Sequence, residues 1–278
     1  MQTLLAYIKL MRPLNVFIGI LGILLGGYLT GNLHVSGALW LAVMTVITFT
    51  GGANAINDYY DYEIDKINRP DRPLPSGKIP RSHAGIFAYV LYMLGVSASA
   101  LINQLSFIIA VISMVLLIGY SRWWKRQPIY GNVVVSVMIG IAFLYGAAAF
   151  ESPRAALPPA FIAFVYTWGR EIIKDLEDAE GDATLNANTL PIRYGEFLAK
   201  IFTTVLFIIL IFGVLVPYLL HIYNEAYLIM VLVGVDVPIL YITFRLWQSH
   251  TSSEFRYLSQ ILKADMLIGL LAVFVGTF

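Results

Sequence analysis

At 278 residues, 59% hydrophobic and only 13% charged, the chain has about half the charge of an ordinary soluble domain, where about 25% is usual, which argues for a membrane protein. Its net charge of +1 supplies no basic field of the kind nucleic-acid binding needs. It has no cysteine, and its four histidines (His34, His83, His221 and His250) are scattered, so disulfides, a cysteine nucleophile and thiolate metal sites are excluded and zinc is not expected.

From the N-terminus, Lys9 and Arg12 precede an apolar run of about 17 residues, too long for the hydrophobic core of a cleaved signal peptide; it reads as the first membrane span. A bilayer core takes about 20 mostly apolar helical residues. Nine stretches meet or approach that length: 14–31, 36–57, 84–103, 105–121, 131–150, 155–171, 197–220, 226–247 and 261–278. Glycines and prolines interrupt several of them (Gly26-Gly27, Gly51-Gly52, Pro158-Pro159, Pro217, Pro238), which membrane helices tolerate where a neighbour re-satisfies the backbone. The expected fold is therefore all-α, a multi-pass bundle of nine transmembrane helices.

Charge gives the orientation. With nine spans, 17 of the 18 Lys and Arg residues, all but Arg154, fall on the side of the N-terminus or at its helix ends. Positive charge marks the cytoplasmic side, so the N-terminus is expected there. The acids are also one-sided: only Glu151, Glu225 and Asp236 lie away from the cytoplasmic loops, and Asp236 alone is placed deep in the membrane.

Two acidic blocks stand out at membrane exits. "GANAINDYYDYEID" (52–65) is matched at a constant offset by "GREIIKDLEDAEGD" (169–182), so Asp58, Asp61 and Asp65 correspond to Asp175, Asp178 and Asp182. We read this as an internal duplication. At about 100° per residue, positions i, i+3 and i+7 share one helix face within about 60°. Asn57 stands beside the first row, and Glu171 lies one turn before the second. Like charges at these spacings repel, so something positive should offset them. Hard divalent cations take carboxylate oxygens, and Mg²⁺ binds through one or two carboxylates plus substrate phosphates. Two such rows suit Mg²⁺ and a diphosphate, with Arg69, Arg72 and Lys125 as further phosphate contacts. The blander alternative is a pair of solvated helix ends, and for Lys125 a simple interfacial anchor in "SRWWKR" beside Trp123 and Trp124.

These residues resemble a known family. "NDYYDYEID" (57–65) resembles the NDxxDxxxD motif of the UbiA superfamily of intramembrane prenyltransferases, and "DLEDAEGD" (175–182) its second Asp-rich motif. "RPDRPLPSGKI" (69–79) and "RPLN" (12–15) are also similar to the family pattern. Within it, both acidic blocks most resemble the archaeal digeranylgeranylglyceryl phosphate synthases.

The resemblance implies one prenyltransferase domain over residues 1–278, made of two pseudo-repeats of about 1–120 and 121–278, with the helices around a central cavity in which the two motifs face each other. It implies Mg²⁺ as cofactor and a prenyl diphosphate as donor. Asp58, Asp61, Asp65, Asp175, Asp178 and Asp182 would be catalytic metal ligands, and Asn57 a ligand or orienter. The acceptor would be lipid-like, a glyceryl ether phosphate, with Arg12, Lys174 and Arg193 as candidates for its phosphate. Asn15, polar in the first span, is expected to be buried, as a site residue or as a helix-packing hydrogen bond. Tyr120, Phe143, Tyr145, Phe164 and Tyr166 are lining candidates, each also explicable as ordinary packing. The expected place is the cell membrane, with the active site facing the cytoplasm.

Two other readings stay open on the sequence. An aromatic prenyltransferase of quinone synthesis would keep the diphosphate machinery and change the acceptor. A cation transporter would want carboxylates at mid-membrane, where only Asp236 is placed.

Overall fold

The computed structural model describes the chain except residues 1, 126, 185, 186 and 278, and except the side chains of 2, 68, 180 and 182–184. The described residues are helical throughout, without strands. Seven helices among them are long and apolar enough to cross a membrane: Gly37–Tyr60 (α3), Arg81–Ala100 (α5), Gln104–Trp124 (α6 and a π-helical turn), Tyr130–Ala148 (α7), Glu196–Leu219, Glu225–Gln248 and Ser252–Val275. Gln2–Met11 (α1) and Pro13–Tyr28 (α2), bent by 46°, make an eighth if counted as one span. The chain is thus a multi-pass membrane protein. The remaining expected stretch, 155–171, falls mostly on the 28-residue helix Leu157–Thr184 (α8), which runs on into the charged second block and is not among the seven.

Two compact units emerge: residues 1–124 with 141–157, and residues 125–140 with 158–278. In the first, α1 lies along α3. Ala6 and Leu10 bury against Phe49, Ala55 and Ile56 of α3, together with Leu74 and Ile79 of the loop after the first acidic block and Ala84, Ala88 and Tyr92 of α5. Helices in lipid associate through close packing and interhelical hydrogen bonds, and both occur here. The Tyr145 and Ser99 hydroxyls are 2.8 Å apart, and Ser99 and Thr45 are 3.2 Å apart. A Cβ on Gly26 would strike the Phe143 carbonyl, and one on Gly146 would strike the Ile23 carbonyl. This reciprocal backbone contact predicts that Gly146→Leu lowers the thermal unfolding temperature in detergent, since overpacking costs about 1–3 kcal/mol; an unchanged melting curve would contradict the tight crossing.

The second unit holds α8 with Glu196–Gly213 (α10), Glu225–Val231 (α12), a π-helical segment Leu232–Asp236, Val237–Gln248 (α13) and Ser252–Val275 (α14); between α8 and α10 lies the short α9, Leu190–Tyr194, and after α10 the short α11, Val216–Leu219. Glu177 of α8 joins α14 through Arg256 Nε and the Ser259 hydroxyl, both at 3.0 Å, while its carbonyl accepts from Ser252 at 2.6 Å. Deeper in, the Tyr166 hydroxyl lies 2.6 Å from the Leu262 carbonyl and 2.9 Å from an Asp265 carboxyl oxygen. Asp265 is 2% exposed and Asp236 5%. The expectation of Asp236 as the one deep acid is corrected: Asp265 is buried as well.

Candidate active site

The first acidic row is built where α3 gives way to Tyr62–Asn68 (α4). The three aspartates were expected on one helix face, and Asp61 is the joint between two helices, at φ −83° and ψ 2°. The helical register survives the joint because the Asp61 N–H donates to the Asn57 carbonyl at 2.9 Å and the Asp65 N–H to the Asp61 carbonyl at 2.8 Å. Asp58, Asp61 and Asp65 are all buried, at 2%, 7% and 5% exposure, while Asn57 beside them is half-buried.

Buried carboxylates need partners, and arginines supply them to Asp58 and Asp65. Asp58 Oδ1 accepts from Arg12 and, at 3.2 Å, from Arg72 Nη1; the same Arg72 nitrogen reaches Asp65 Oδ2 at 2.5 Å. Arg72 is delivered by the loop after α4, whose turn is closed by the Ser76 N–H on the Arg72 carbonyl at 3.0 Å and the Ile79 N–H on the Pro73 carbonyl at 3.1 Å. Leu74 and Ile79, each 1% exposed, plug this loop into the core. So the "RPDRPLPSGKI" segment is a hairpin of buried aliphatics that aims one guanidinium back at the row. Arg69 caps α4 and is exposed.

Arg12 arrives from the other side. Pro13 cannot donate a backbone hydrogen bond, so α1 ends before it, and Arg12 takes the left-handed conformation, φ 54° and ψ 77°. That turn directs its side chain to Asp58. Asn15 is exposed, not buried as expected from its place in an apolar span; its amide nitrogen is 3.4 Å from Asn54 Oδ1. Asn54, which the sequence pattern did not single out, is buried and donates to the Met11 carbonyl at 2.9 Å.

The second row lies on α8. Asp175 is half-buried and accepts from Asn132 Nδ2 at 2.8 Å, with Asn132 on α7 itself buried. Asn132 is another residue that sequence reasoning passed over, since a lone Asn in an apolar span gives no periodic signal. Asp178 is exposed. The side chain of Asp182 lies outside the described residues. Glu171 pairs with Lys174 at 2.9 Å and with Arg170 at 3.2 Å, so Lys174, a candidate for an acceptor phosphate, is engaged within its own helix. Lys125, half-buried, follows the π-helical turn Tyr120–Trp124. Arg193 is exposed and lies over the Tyr194 ring at 5.4 Å. Of the aromatic candidates, Phe143, Tyr145 and Tyr166 are each 5% exposed.

Among the described residues, no three His, Asp or Glu side chains converge as a ready metal cage. Mg²⁺ does not require one, because it keeps several waters and takes one or two carboxylates plus phosphate oxygens. An oxygen-only donor set on a buried strip, flanked by guanidinium groups that fit phosphate bidentately, has the right chemistry for a magnesium-diphosphate complex.

Comparison with known proteins agrees. The sequence pattern of the UbiA prenyltransferase family matches residues 15–267. A digeranylgeranylglyceryl phosphate synthase from Methanopyrus kandleri is 39% identical over 267 residues, covering 96% of this chain and 97% of the relative. One from Thermococcus kodakarensis is 34% identical over 273 residues, covering 98% of each. A solved structure of a digeranylgeranylglyceryl phosphate synthase is similar with a TM-score of 0.89 at 33% identity, over 100% of this chain and 99% of that one. The fold also matches a UbiA homologue from Archaeoglobus fulgidus bound to GPP and Mg²⁺, with a TM-score of 0.71 at 18% identity, over 97% of this chain and 100% of that one.

Proposed function

This chain belongs to the UbiA prenyltransferase family, and from that premise we propose that it transfers a geranylgeranyl group from geranylgeranyl diphosphate to the free hydroxyl of geranylgeranylglyceryl phosphate, forming an ether in archaeal membrane-lipid synthesis. The acceptor follows the names of its relatives. The observation that carries the chemistry is the buried strip of Asp58, Asp61 and Asp65 with Arg12 and Arg72 on its carboxylates.

In this reading Asn57, Asp58, Asp61 and Asp65, and in the second row Asp175, Asp178 and Asp182, hold Mg²⁺ directly or through water. Held there, Mg²⁺ would supply positive charge against the diphosphate leaving group. Arg72, Arg69 and Lys125 bind the phosphate oxygens, and a guanidinium does so with two parallel hydrogen bonds. The allylic C–O bond to C1 breaks, the acceptor oxygen bonds to C1, and diphosphate and the hydroxyl proton leave. Burial of the first row keeps water from the cationic C1. Arg12, Lys174 and Arg193 are the candidates for the acceptor's phosphate; Arg193, exposed and near its helix end, can reach a ligand without giving up a buried carboxylate.

The same reading takes residues 1–278 as one domain of two pseudo-repeats, about 1–120 and 121–278, with nine spans, a cytoplasmic N-terminus, and the active site facing the cytoplasm from the cell membrane. Parallel assays in liposomes with Mg²⁺, geranylgeranyl diphosphate and either geranylgeranylglyceryl phosphate or 4-hydroxybenzoate test it. Ether product is expected. Product with the aromatic acid alone would keep the diphosphate chemistry and discard the acceptor.

A further inference from the structure

The joint between α1 and α2 carries an unusual backbone. Arg12 is one of four non-glycine residues with positive φ among the described residues, and it is the one whose side chain reaches the first acidic row. A non-glycine residue in the left-handed region costs of order 1 kcal/mol and persists only where its surroundings fix it. Several contacts do so here. The Arg12 N–H donates to the Lys9 carbonyl at 3.1 Å, and the Arg12 carbonyl accepts from Asn15 N at 2.9 Å and from Val16 N at 3.3 Å. Leu10, 0% exposed, anchors the last turn of α1. The Met11 carbonyl, left without an intrahelical donor because α1 ends there and the Asn15 N–H turns to the Arg12 carbonyl, is taken up by Asn54 Nδ2 at 2.9 Å.

Asn54 stands one turn before Asp58 on α3. It therefore ties the joint to the same helix face that carries the row. Its two ends hold opposite sides of Arg12: the amide nitrogen binds the carbonyl of Met11, just before it, and Oδ1 faces the side-chain amide of Asn15, two residues after Pro13. We propose that Asn54 is a positioning residue for the prenyl-transfer reaction: it fixes the α1–α2 joint so that Arg12 is presented to Asp58, and through Arg12 it sets the geometry of the first diphosphate-binding row. This rests on the proposed function in placing Arg12 and Asp58 in the site. A shared joint predicts coupling. Once Arg12 is gone, Asn54 has nothing left to position.

The experiment is a double-mutant cycle on the full-length protein in liposomes, with Asn54→Ala, Asn54→Leu, Arg12→Ala and the corresponding doubles. The readouts are prenyl-transfer kcat and KM, and the dissociation constant of geranylgeranyl diphosphate with Mg²⁺ by titration calorimetry. Loss of one buried hydrogen bond predicts that Asn54→Ala weakens diphosphate binding about tenfold. Asn54→Leu, which keeps the branched shape and removes both polar atoms, should match it. The Arg12→Ala/Asn54→Ala double should fall within about threefold of Arg12→Ala alone, since coupled sites are non-additive. Additive losses would overturn the proposal, because a merely structural asparagine acts regardless of Arg12. Wild-type binding in both Asn54 variants would overturn it too, as would failure of both to fold, which would make the residue a requirement of the bundle. An Arg12→Ala protein with unchanged diphosphate affinity and activity would instead remove Arg12 from the site, a failure of the functional reading and not of the Asn54 contact.

Discussion

Asp61→Ala and Asp178→Ala are each expected to reduce prenyl transfer by at least about a hundredfold, a loss of about 2.7 kcal/mol or more in transition-state stabilisation, while leaving the protein folded. Asp61 sits at the α3–α4 joint, 7% exposed, in the middle of the first row. Asp178 is its counterpart on α8 and is exposed. Each substitution removes a carboxylate and keeps the Cβ, so the effect should appear in kcat and in the Mg²⁺ concentration needed for half-maximal rate. Melting temperatures in detergent, measured beside the kinetics, separate lost chemistry from lost fold. Near wild-type rates in either variant would refute the assignment of that row to metal and diphosphate.

Arg72→Ala carries the second large expected effect, and here stability and activity fall together. One Arg72 nitrogen bridges Asp58 and Asp65, at 3.2 and 2.5 Å, with its side chain 18% exposed and the two carboxylates 3% and 7% exposed. Removing one partner of a buried ion pair leaves an uncompensated charge and costs about 3–5 kcal/mol. Screening through the partly exposed guanidinium puts this case at the lower end of that range. Arg72→Lys tests geometry: an ammonium is a point charge, whereas the guanidinium presents a planar fork. The lysine variant should regain most of the melting temperature and little of the activity. If lysine restores both, Arg72 is a counter-ion and makes no specific phosphate contact.

The sequence carried the acidic rows because their signal is local. Asp58, Asp61 and Asp65 follow the helical period, their counterparts repeat it at a constant offset, and each row follows an apolar stretch. The helix break at Asp61 was hidden for the same reason: the i, i+4 hydrogen bonds continue through it, so the spacing looks unbroken. The requirement for positive charge beside the first row was also readable from like-charge repulsion. Which cation meets it was not fully readable, because Arg12 and Asp58 are 46 positions apart in the chain and meet only when α1 packs along α3. Asn15 was expected to be buried because hydropathy averages over a whole helix and cannot tell which face a residue occupies; the packing of α2 leaves it exposed. Asp265 passed unnoticed as a deep acid because hydropathy began the last span near residue 261, whereas α14 starts at Ser252, which carries Asp265 further along the helix and into contact with Tyr166.

Composition and periodicity alone determined that this chain is a helical membrane protein with two acidic rows of matching spacing, because bilayer thickness and helical pitch act on neighbouring residues. Tertiary structure decided the rest. It set which arginines neutralise the first row, how the prolines of residues 69–79 fold Arg72 back toward Asp58 and Asp65, and that Asn54 and Asn132 hold the parts in place. Those contacts join residues far apart in sequence, and a buried hydrogen bond or ion pair exists only once the helices that carry its two ends have packed.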